Sequence, residues 1–160
     1  LRAGCLMMIE YVRVREDVKP PIRANPSDAG LDVFFCPDDA AVNAVTIPVG
    51  GSVILATGLR FGVPHGYMLQ AMNRSGIAAK RSLVVGAHVI DSGYDGEVFI
   101  NLHNIGKETQ VVKAGTKIAQ LVMIPVVPFR ALETHNDDLY NWYPISISGR
   151  GDGALGSTGG

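Results

Sequence analysis

The sequence predicts an all-β fold, a sandwich or a barrel, from two observations. Short apolar runs recur along the chain between turn residues, and 19 glycines and 9 prolines among 160 residues supply those turns. A helical pattern is almost absent, since residues 75–80 form the best helix candidate and span two turns at most. Strands that each bury one face must pack on other strands, which indicates stacked sheets or a closed barrel.

The composition is that of one folded domain. Hydrophobic residues make up 47% and charged residues 18% of the chain, which excludes disorder. The net charge of −1 and the lack of a long apolar run lead us to expect no nucleic-acid or membrane partner. Cys5 and Cys36 form neither a disulfide framework nor a zinc site, so we expect a reducing compartment. That compartment would be the cytoplasm, or the host cytoplasm for a viral or phage chain.

Three stretches divide the chain. Because the sequence starts without Met, we expect residues 1–7 to be a remnant of cloning. Residues 8–148 form the predicted β domain. Residues 149–160 are too rich in glycine to build a core, and we expect them to be a mobile tail.

Each predicted strand follows from its pattern of apolar residues. Residues 8–14 alternate apolar and polar, so one face should be buried. Further strands are predicted over 31–35, 42–47, 52–63, 67–72, 110–112 and 117–123. Gly58 and Gly62 interrupt the run 52–63, which indicates bends there. Ser75 could cap the short helix.

The stretch 84–100 carries the first candidate site. Two apolar runs flank one acid, Asp91, and a tyrosine, Tyr94, bracketed by Gly93 and Gly96, which predicts a β-hairpin. Asp91 ends the first run, and Tyr94 offers a ring face to a flat ligand. An ordinary surface turn fits the same residues, because Asp and Gly also serve turn chemistry.

Two further stretches are suited to phosphate. Arg74, Ser75 and Gly76 place a guanidinium, a hydroxyl and free amides at a helix start, although a capped surface helix fits equally well. Residues 150–159 add a second arginine, glycine amides and hydroxyls. A flexible linker has the same composition, and the Walker pattern is absent.

Taken in order, these stretches resemble the trimeric dUTPase family (deoxyuridine triphosphate nucleotidohydrolases). Five motifs between residues 29 and 159 carry the resemblance. They are Ala29-Gly30-Leu31-Asp32-Val33-Phe34, Arg74-Ser75-Gly76-Ile77-Ala78, Val89-Ile90-Asp91-Ser92-Gly93-Tyr94-Asp95-Gly96-Glu97, Gly115-Thr116-Lys117-Ile118-Ala119-Gln120-Leu121 and the tail 150–159. The resemblance implies a jelly roll, a distorted β-barrel, that assembles as a homotrimer with active sites shared between subunits.

The resemblance also implies a reaction. Asp91 would activate a water that attacks the α-phosphorus of dUTP in line, giving dUMP and pyrophosphate with Mg²⁺ as cofactor. Asp32 would contact the metal through water, and Tyr94 would pack on the deoxyribose and exclude a 2′-hydroxyl. The tail would close over the nucleotide of another subunit. The substrate-binding residues implied by the motifs are Arg74, Ser75, Gly76, Val85, Val89, Ile90, Tyr94, Phe99, Gln120, Arg150, Leu155, Gly156, Ser157 and Thr158.

Three positions depart from the family pattern. Leu155 stands in place of a tail aromatic, Val85 in place of an Asn that reads uracil, and His88 in place of a Gly. Ala87 and His88 are dCTP-deaminase-like, but Asn101 stands where a deaminase requires Glu, so deamination is rejected. Two alternatives stay open: a diphosphatase that accepts dCTP, alone or alongside dUTP, and a catalytically silent jelly-roll binding or regulatory protein.

Overall fold

A computed structural model describes residues 7–134 of the chain. The predictions for residues 1–6 and for the tail 149–160 lie outside the described residues. The described residues form eleven strands and one helix. In chain order these are β1 (Glu10–Arg13), β2 (Gly30–Phe34), β3 (Ala44–Ile47), β4 (Ser52–Ala56), β5 (Leu59–Gly62), β6 (Tyr67–Met72), α1 (Ser75–Arg81), β7 (Leu83–Val85), β8 (Val89–Ile90), β9 (Phe99–Asn104), β10 (Gln110–Lys113) and β11 (Lys117–Pro125).

The strands form four sheets, which confirms the all-β prediction. A four-stranded sheet runs β2-β11-β6-β8, a three-stranded sheet runs β4-β9-β7, and β1-β5 and β10-β3 form two pairs. Every pairing between these strands is antiparallel. One apolar cluster draws on all four sheets, as Val33, Ile47, Leu59 and Ile100, each fully buried, show. Burying each of these side chains contributes about 1.5–3 kcal/mol relative to exposure.

The chain divides into a unit that ends at Pro128 and a second unit that begins at Phe129. Of the second unit only residues 129–134 are described; they hold no regular element, and Phe129 and Leu132 are exposed. Among the described residues no helix is long and apolar enough to cross a membrane.

The bend predicted at Gly58 is confirmed as a corner between β4 and β5. Gly58 has φ +69°, a conformation that L side chains rarely adopt. The space beside its α-carbon is filled by Val18, which is 2% exposed. Thr57, fully buried, donates its hydroxyl to the carbonyl of Val98 at 2.6 Å. The corner is therefore both strained for any residue but glycine and closed to an added side chain.

A Gly58→Ala change should lower the free energy of unfolding by about 2–4 kcal/mol, since it combines a left-handed backbone with overpacking against Val18. Urea denaturation would measure the loss. Gly62→Ala is the matched control, because a methyl group there would lie 3.9 Å from the nearest atom, the carbonyl oxygen of Glu10. Equal unfolding free energies for the two variants would contradict this account of the corner.

Two details of the predicted elements are wrong. The alternating pattern at residues 8–14 predicts one buried face, yet all four residues of β1 are exposed, because β1 pairs with β5 alone at a sheet edge. Its Tyr11 ring rests near that of Phe61, with centroids 6.1 Å apart. Ser75 does not cap α1: Arg74 occupies the N-cap position with no side-chain capping bond. The helix is held instead by burial of Ile77.

The predicted hairpin over 84–100 is confirmed only in part: Val84 and Val85 pair antiparallel with β9, but Val89 and Ile90 do not. β8 pairs with β6, whereas β9 pairs with β4 and β7. Residues 91–98 therefore link two different sheets and do not turn one strand back on the next. Apolar runs around turn residues reveal strands, but they do not reveal which neighbour each strand takes. We call residues 91–98 the Asp91 loop.

Candidate active site

A polar cleft lies where β2, β11 and the start of α1 meet. It has a volume of about 240 Å³. Its lining residues are Ala24, Asp28, Ala29, Gly30, Asp32, Arg74, Ser75 and Gln120. Four residues that the sequence assigned to phosphate or metal, namely Asp32, Arg74, Ser75 and Gln120, are thus brought together. Gly76 follows Ser75 in the first turn of α1 but does not line the cleft.

Asp32 is the electrostatic centre of the polar cleft. One carboxylate oxygen accepts the Nε–H of Arg74 at 2.8 Å, and the other lies 2.9 Å from Nζ of Lys117. The Asp32 side chain is 13% exposed, so both contacts are partly shielded from water. Two cations share one acid, which leaves the trio with a net positive charge. Because Asp32 holds Arg74 through Nε, the two terminal nitrogens of the guanidinium can face an anion.

A β-bulge brings the residues of β11 to this cleft. From Lys117 to Ala119 the strand advances two residues while β2 advances one, from Phe34 to Val33. Residues three apart normally point to opposite faces of a strand, but Lys117 contacts Asp32 and Gln120 lines the same cleft. Lys117 was absent from the predicted site residues. Its position inside the fourth motif was the one signal for it.

Gln120 fits because its neighbour is a glycine. Its amide donates to the carbonyl of Asn73 at 2.9 Å, which holds the side chain across the cleft. A side chain at Gly30 would lie 3.1 Å from the β-carbon of Gln120, closer than ordinary packing allows. Gly30 in the first motif therefore makes room for the glutamine of the fourth.

A second cleft, the Asp91 cleft, has a volume of about 220 Å³. Its lining residues are Val89, Ile90, Asp91, Tyr94, Glu97, Val98 and Phe99. Five residues predicted for catalysis or for the nucleoside are thus assembled: one acid, one tyrosine and an apolar wall. Asp91 is exposed, and its carbonyl accepts the N–H of Tyr94 at 3.2 Å across a turn that Gly93 completes with φ +83°. An exposed carboxylate beside an apolar wall can take a proton from a water near a bound ligand.

The Asp91 loop is attached to the core at several points that sequence reasoning missed. The hydroxyl of Ser92 donates to the carbonyl of Val63 at 3.1 Å. Arg60 contacts Asp95 twice, donating from Nε to its carbonyl at 2.7 Å and pairing with its carboxylate. Such contacts between distant parts of the chain leave no spacing signal in the sequence.

Val85 lies apart from the Asp91 cleft. It lines a third cleft of about 500 Å³ together with His88 and Gln120. The N–H of Val85 donates to the side chain of Asn73 at 2.7 Å. Nδ1 of His88 lies 3.1 Å from the carbonyl oxygen of Gly86, which can only accept, so this ring nitrogen donates in a local turn. The predicted tail residues, Arg150, Leu155, Gly156, Ser157 and Thr158, lie outside the described residues.

The polar cleft and the Asp91 cleft share no lining residue. Groups that suit phosphates therefore stand on one part of the chain, and the acid and the apolar wall stand on another. Neither cleft alone holds a complete set for hydrolysis of a phosphate ester.

No group of three or more His, Cys, Asp or Glu side chains among residues 7–134 could hold an ion. The polar cleft offers two carboxylates, Asp28 and Asp32, and Asp32 is already paired with two cations. This donor set fits an ion such as Mg²⁺ that keeps its waters and is held mainly by the phosphates of a ligand.

Comparison with known proteins agrees with this arrangement. The family model described as dUTPase matches residues 16–158. A deoxyuridine 5′-triphosphate nucleotidohydrolase of Hydrogenobaculum sp. is 34% identical over 155 residues, which cover 96% of this chain and 99% of that protein. These matches extend across most of the chain, beyond the residues that the structure describes.

Solved structures share the fold. A dUTPase of Staphylococcus bacteriophage 80alpha with dUpNHpp superposes with a TM-score of 0.78 at 23% identity, covering 95% of this chain and 98% of that chain. A dUTPase from phage phi11 of S. aureus, studied for a structural Mg(II) ion, gives 0.71 at 23% identity, covering 81% and 98%. The predicted jelly-roll fold class is confirmed. The dCTP-deaminase-like reading of Ala87 and His88 is not confirmed, since these matches are to dUTPases.

Proposed function

Since the chain belongs to the dUTPase family, we propose that it is a dUTP diphosphatase that hydrolyses dUTP to dUMP and pyrophosphate. The observation that carries this proposal is the Asp91 cleft, in which one exposed acid stands beside Tyr94 and an apolar wall. The curated relative in Hydrogenobaculum bears the name of this activity. The polar cleft supplies the cations that a triphosphate needs.

Asp91 acts as the general base in this proposal. Its carboxylate takes a proton from a water, and the resulting hydroxide attacks the α-phosphorus in line with the leaving pyrophosphate. The cleft around Asp91 is lined by Val89, Ile90 and Phe99, and Tyr94 packs on the deoxyribose. A 2′-hydroxyl would meet the Tyr94 ring, so UTP is rejected.

Arg74, Ser75, Gly76 and Gln120 hold the phosphates. Arg74 and Ser75 both line the polar cleft, and charge-assisted bonds from a guanidinium to phosphate are among the strong ones. Gln120 supplies an amide whose orientation is set by Asn73. Pyrophosphate leaves from the polar cleft.

Mg²⁺ is the proposed cofactor. The dUTPase from phage phi11 coordinates a structural Mg(II) ion. Here Asp32, with Asp28 nearby, would hold the hydrated ion, and the ion would neutralise phosphate charge. Asp32 also fixes Arg74, so the same acid orients a phosphate-binding side chain and would accept hydrogen bonds from the waters of the ion.

Each active site is shared between subunits of a homotrimer in this proposal. The support is that the two clefts of one chain share no lining residue, so the phosphate side of one copy can meet the Asp91 side of another.

The glycine-rich tail closes over the nucleotide, with Arg150, Gly156, Ser157 and Thr158 on the phosphates and Leu155 near the uracil base. Val85 contributes at the base pocket. A cytoplasmic location completes the proposal and is consistent with the free thiol of Cys36.

The direct test is pyrophosphate release from dUTP, dCTP, dTTP and UTP, each with and without Mg²⁺. We expect dUTP with Mg²⁺ to be turned over fastest. If pyrophosphate is released from none of the four nucleotides, the proposed enzymatic activity is overturned and a catalytically silent binding protein is favoured. Release from dCTP at a rate equal to that from dUTP would show that Val85 and His88 have changed the base pocket.

Sharing of sites between copies predicts complementation. An Asp91→Asn protein and an Arg74→Met protein should each hydrolyse dUTP much more slowly than the wild type, yet a refolded mixture should recover activity, because some mixed sites combine an intact acid with an intact arginine. Mixing the two without unfolding is the control for simple contamination. A refolded mixture that is no more active than its two components would contradict the shared site and would favour sites built within one chain.

A further inference from the structure

We infer that Glu97 is a positioning residue that sets the discrimination between deoxyribose and ribose, acting through the ring of Tyr94. The inference rests on the proposed function, since it assigns a role within the same reaction. Glu97 lines the Asp91 cleft, but its carboxylate faces the core of its own chain. Glu97 therefore acts on the nucleotide indirectly.

The Tyr94 ring is held by the two residues that follow it closely. Its hydroxyl donates to the backbone carbonyl of Glu97 at 2.9 Å. The ring folds back over Gly96 to reach that carbonyl, and a methyl group added at Gly96 would lie 2.6 Å from the Cζ of Tyr94. The ring thus depends on a bare α-carbon beneath it and a fixed carbonyl at its tip.

The carbonyl of Glu97 is fixed because its side chain is tied to the buried corner. One carboxylate oxygen accepts the backbone N–H of Gly58 at 2.7 Å, across 39 residues of sequence. The other oxygen lies 3.7 Å from Arg15, whose guanidinium also donates to the carbonyl of Cys36 at 2.7 Å. The Glu97 side chain is 18% exposed, so the bond to Gly58 is largely protected from competing water.

The next residue reinforces this attachment. The carbonyl of Val98 accepts the Thr57 hydroxyl at 2.6 Å, and the N–H of Val98 donates to the carbonyl of Leu59 at 2.8 Å. Thr57 and Leu59 are fully buried. Glu97 and Val98 therefore move with the core, whereas Tyr94 itself is 47% exposed.

This arrangement suits a ring that must exclude one oxygen atom. Exclusion of a 2′-hydroxyl requires the ring to stay within about 0.5 Å of its working position. Without its hydrogen bond to Glu97, an exposed tyrosine would sample other rotamers and make room for ribose. The position of the ring is set by Gly58 through Glu97, at a distance from the nucleotide.

The experiment compares kcat/KM for dUTP and UTP in three variants and one control variant. Glu97→Ala removes the support, and we expect the dUTP/UTP ratio to fall about fivefold, the equivalent of one hydrogen bond. Gly96→Ala should lower it similarly by pushing the ring, since the group that must yield is the far end of Tyr94. Glu97→Gln keeps an oxygen for the Gly58 N–H and should retain the wild-type ratio within about twofold. Glu108→Ala, at an exposed acid, is the matched control.

A second readout is the ratio of Kd values for dUMP and UMP, which involves no turnover. It should shift in the same variants and in the same direction. A general loss of structure would lower binding of both nucleotides and leave the ratio unchanged. Thermal unfolding shows which variants are folded. If Glu97→Ala does not fold, the ratio measured for Gly96→Ala tests whether the position of the Tyr94 ring sets the discrimination.

The outcomes distinguish the proposed function from the role of Glu97. A wild-type protein that hydrolyses neither nucleotide overturns the proposed function. A wild-type protein that prefers dUTP, with folded Glu97→Ala and Gly96→Ala variants that keep its ratio, overturns the inference about Glu97 alone. A Glu97→Gln variant that loses as much discrimination as Glu97→Ala also overturns it, because the bond to Gly58 would then not be the cause.

Discussion

An Asp91→Asn protein should release pyrophosphate from dUTP about 10²–10⁴-fold more slowly than the wild type. Asparagine has nearly the same shape but cannot take a proton from water, and this range is typical for the loss of a general base. Asp91 is exposed and its described hydrogen bond uses the backbone carbonyl, so the fold should not depend on the carboxylate. Steady-state kinetics should show the loss in kcat, with KM for dUTP almost unchanged.

Asp17→Asn is the matched control, because Asp17 is also an exposed acid but lines a different cleft, beside Cys36. It should leave kcat within about twofold of the wild-type value, by the usual tolerance of surface sites. An Asp91→Asn protein that kept wild-type kcat would remove Asp91 as the base. The base would then have to be sought among other acids, Asp28 of the polar cleft included.

An Arg74→Met protein should lose about 10- to 100-fold in kcat/KM for dUTP. The change removes charge-assisted bonds to phosphate, which contribute about 1.5–3 kcal/mol. It also leaves Asp32 with Lys117 as its one cation among the described contacts, so the polar cleft becomes less positive. Calorimetric titration with pyrophosphate should show a matching rise in Kd.

Lys80→Met is the control for this second prediction, because Lys80 lies on the same helix but outside the polar cleft. Arg74→Lys separates charge from shape, since lysine keeps the charge but lacks the fork of donors. We expect it to recover part of the lost affinity. Equal pyrophosphate affinity in the wild-type and Arg74→Met proteins would place the phosphates elsewhere.

Local patterns in the sequence predicted much of the fold. The strand over 67–72 was predicted with the bounds that the structure shows, because turn residues close it on both sides. The bend at Gly58 followed from a glycine inside a β-branched run. Pairing was harder: β8 and β9 join different sheets, and that choice depends on residues far along the chain. The buried face expected for β1 failed for the same reason, since burial depends on the neighbouring layer.

The site was predictable as a set of motifs but not as a geometry. The residues of the first, second and fourth motifs gather in one cleft, and most predicted residues of the third gather in another. Lys117 could not be assigned, because the bulge that brings it beside Asp32 reverses the expected face of its strand. Val85, interpreted as part of the base pocket, lies in a third cleft with His88.

The two ends of the Asp91 loop are attached with different strength, and they should therefore differ in local opening. At one end the loop leaves β8, which holds only two residue pairs with β6; at the other it enters the buried corner at Thr57 and Leu59. Amide hydrogens near Val89 should therefore exchange with deuterated water through local opening, and that of Val98 only when the whole domain unfolds. Asp91, the general base, therefore lies at the end of the loop that opens locally. Glu97, which positions the Tyr94 ring against the sugar, lies at the end that opens only when the whole domain unfolds.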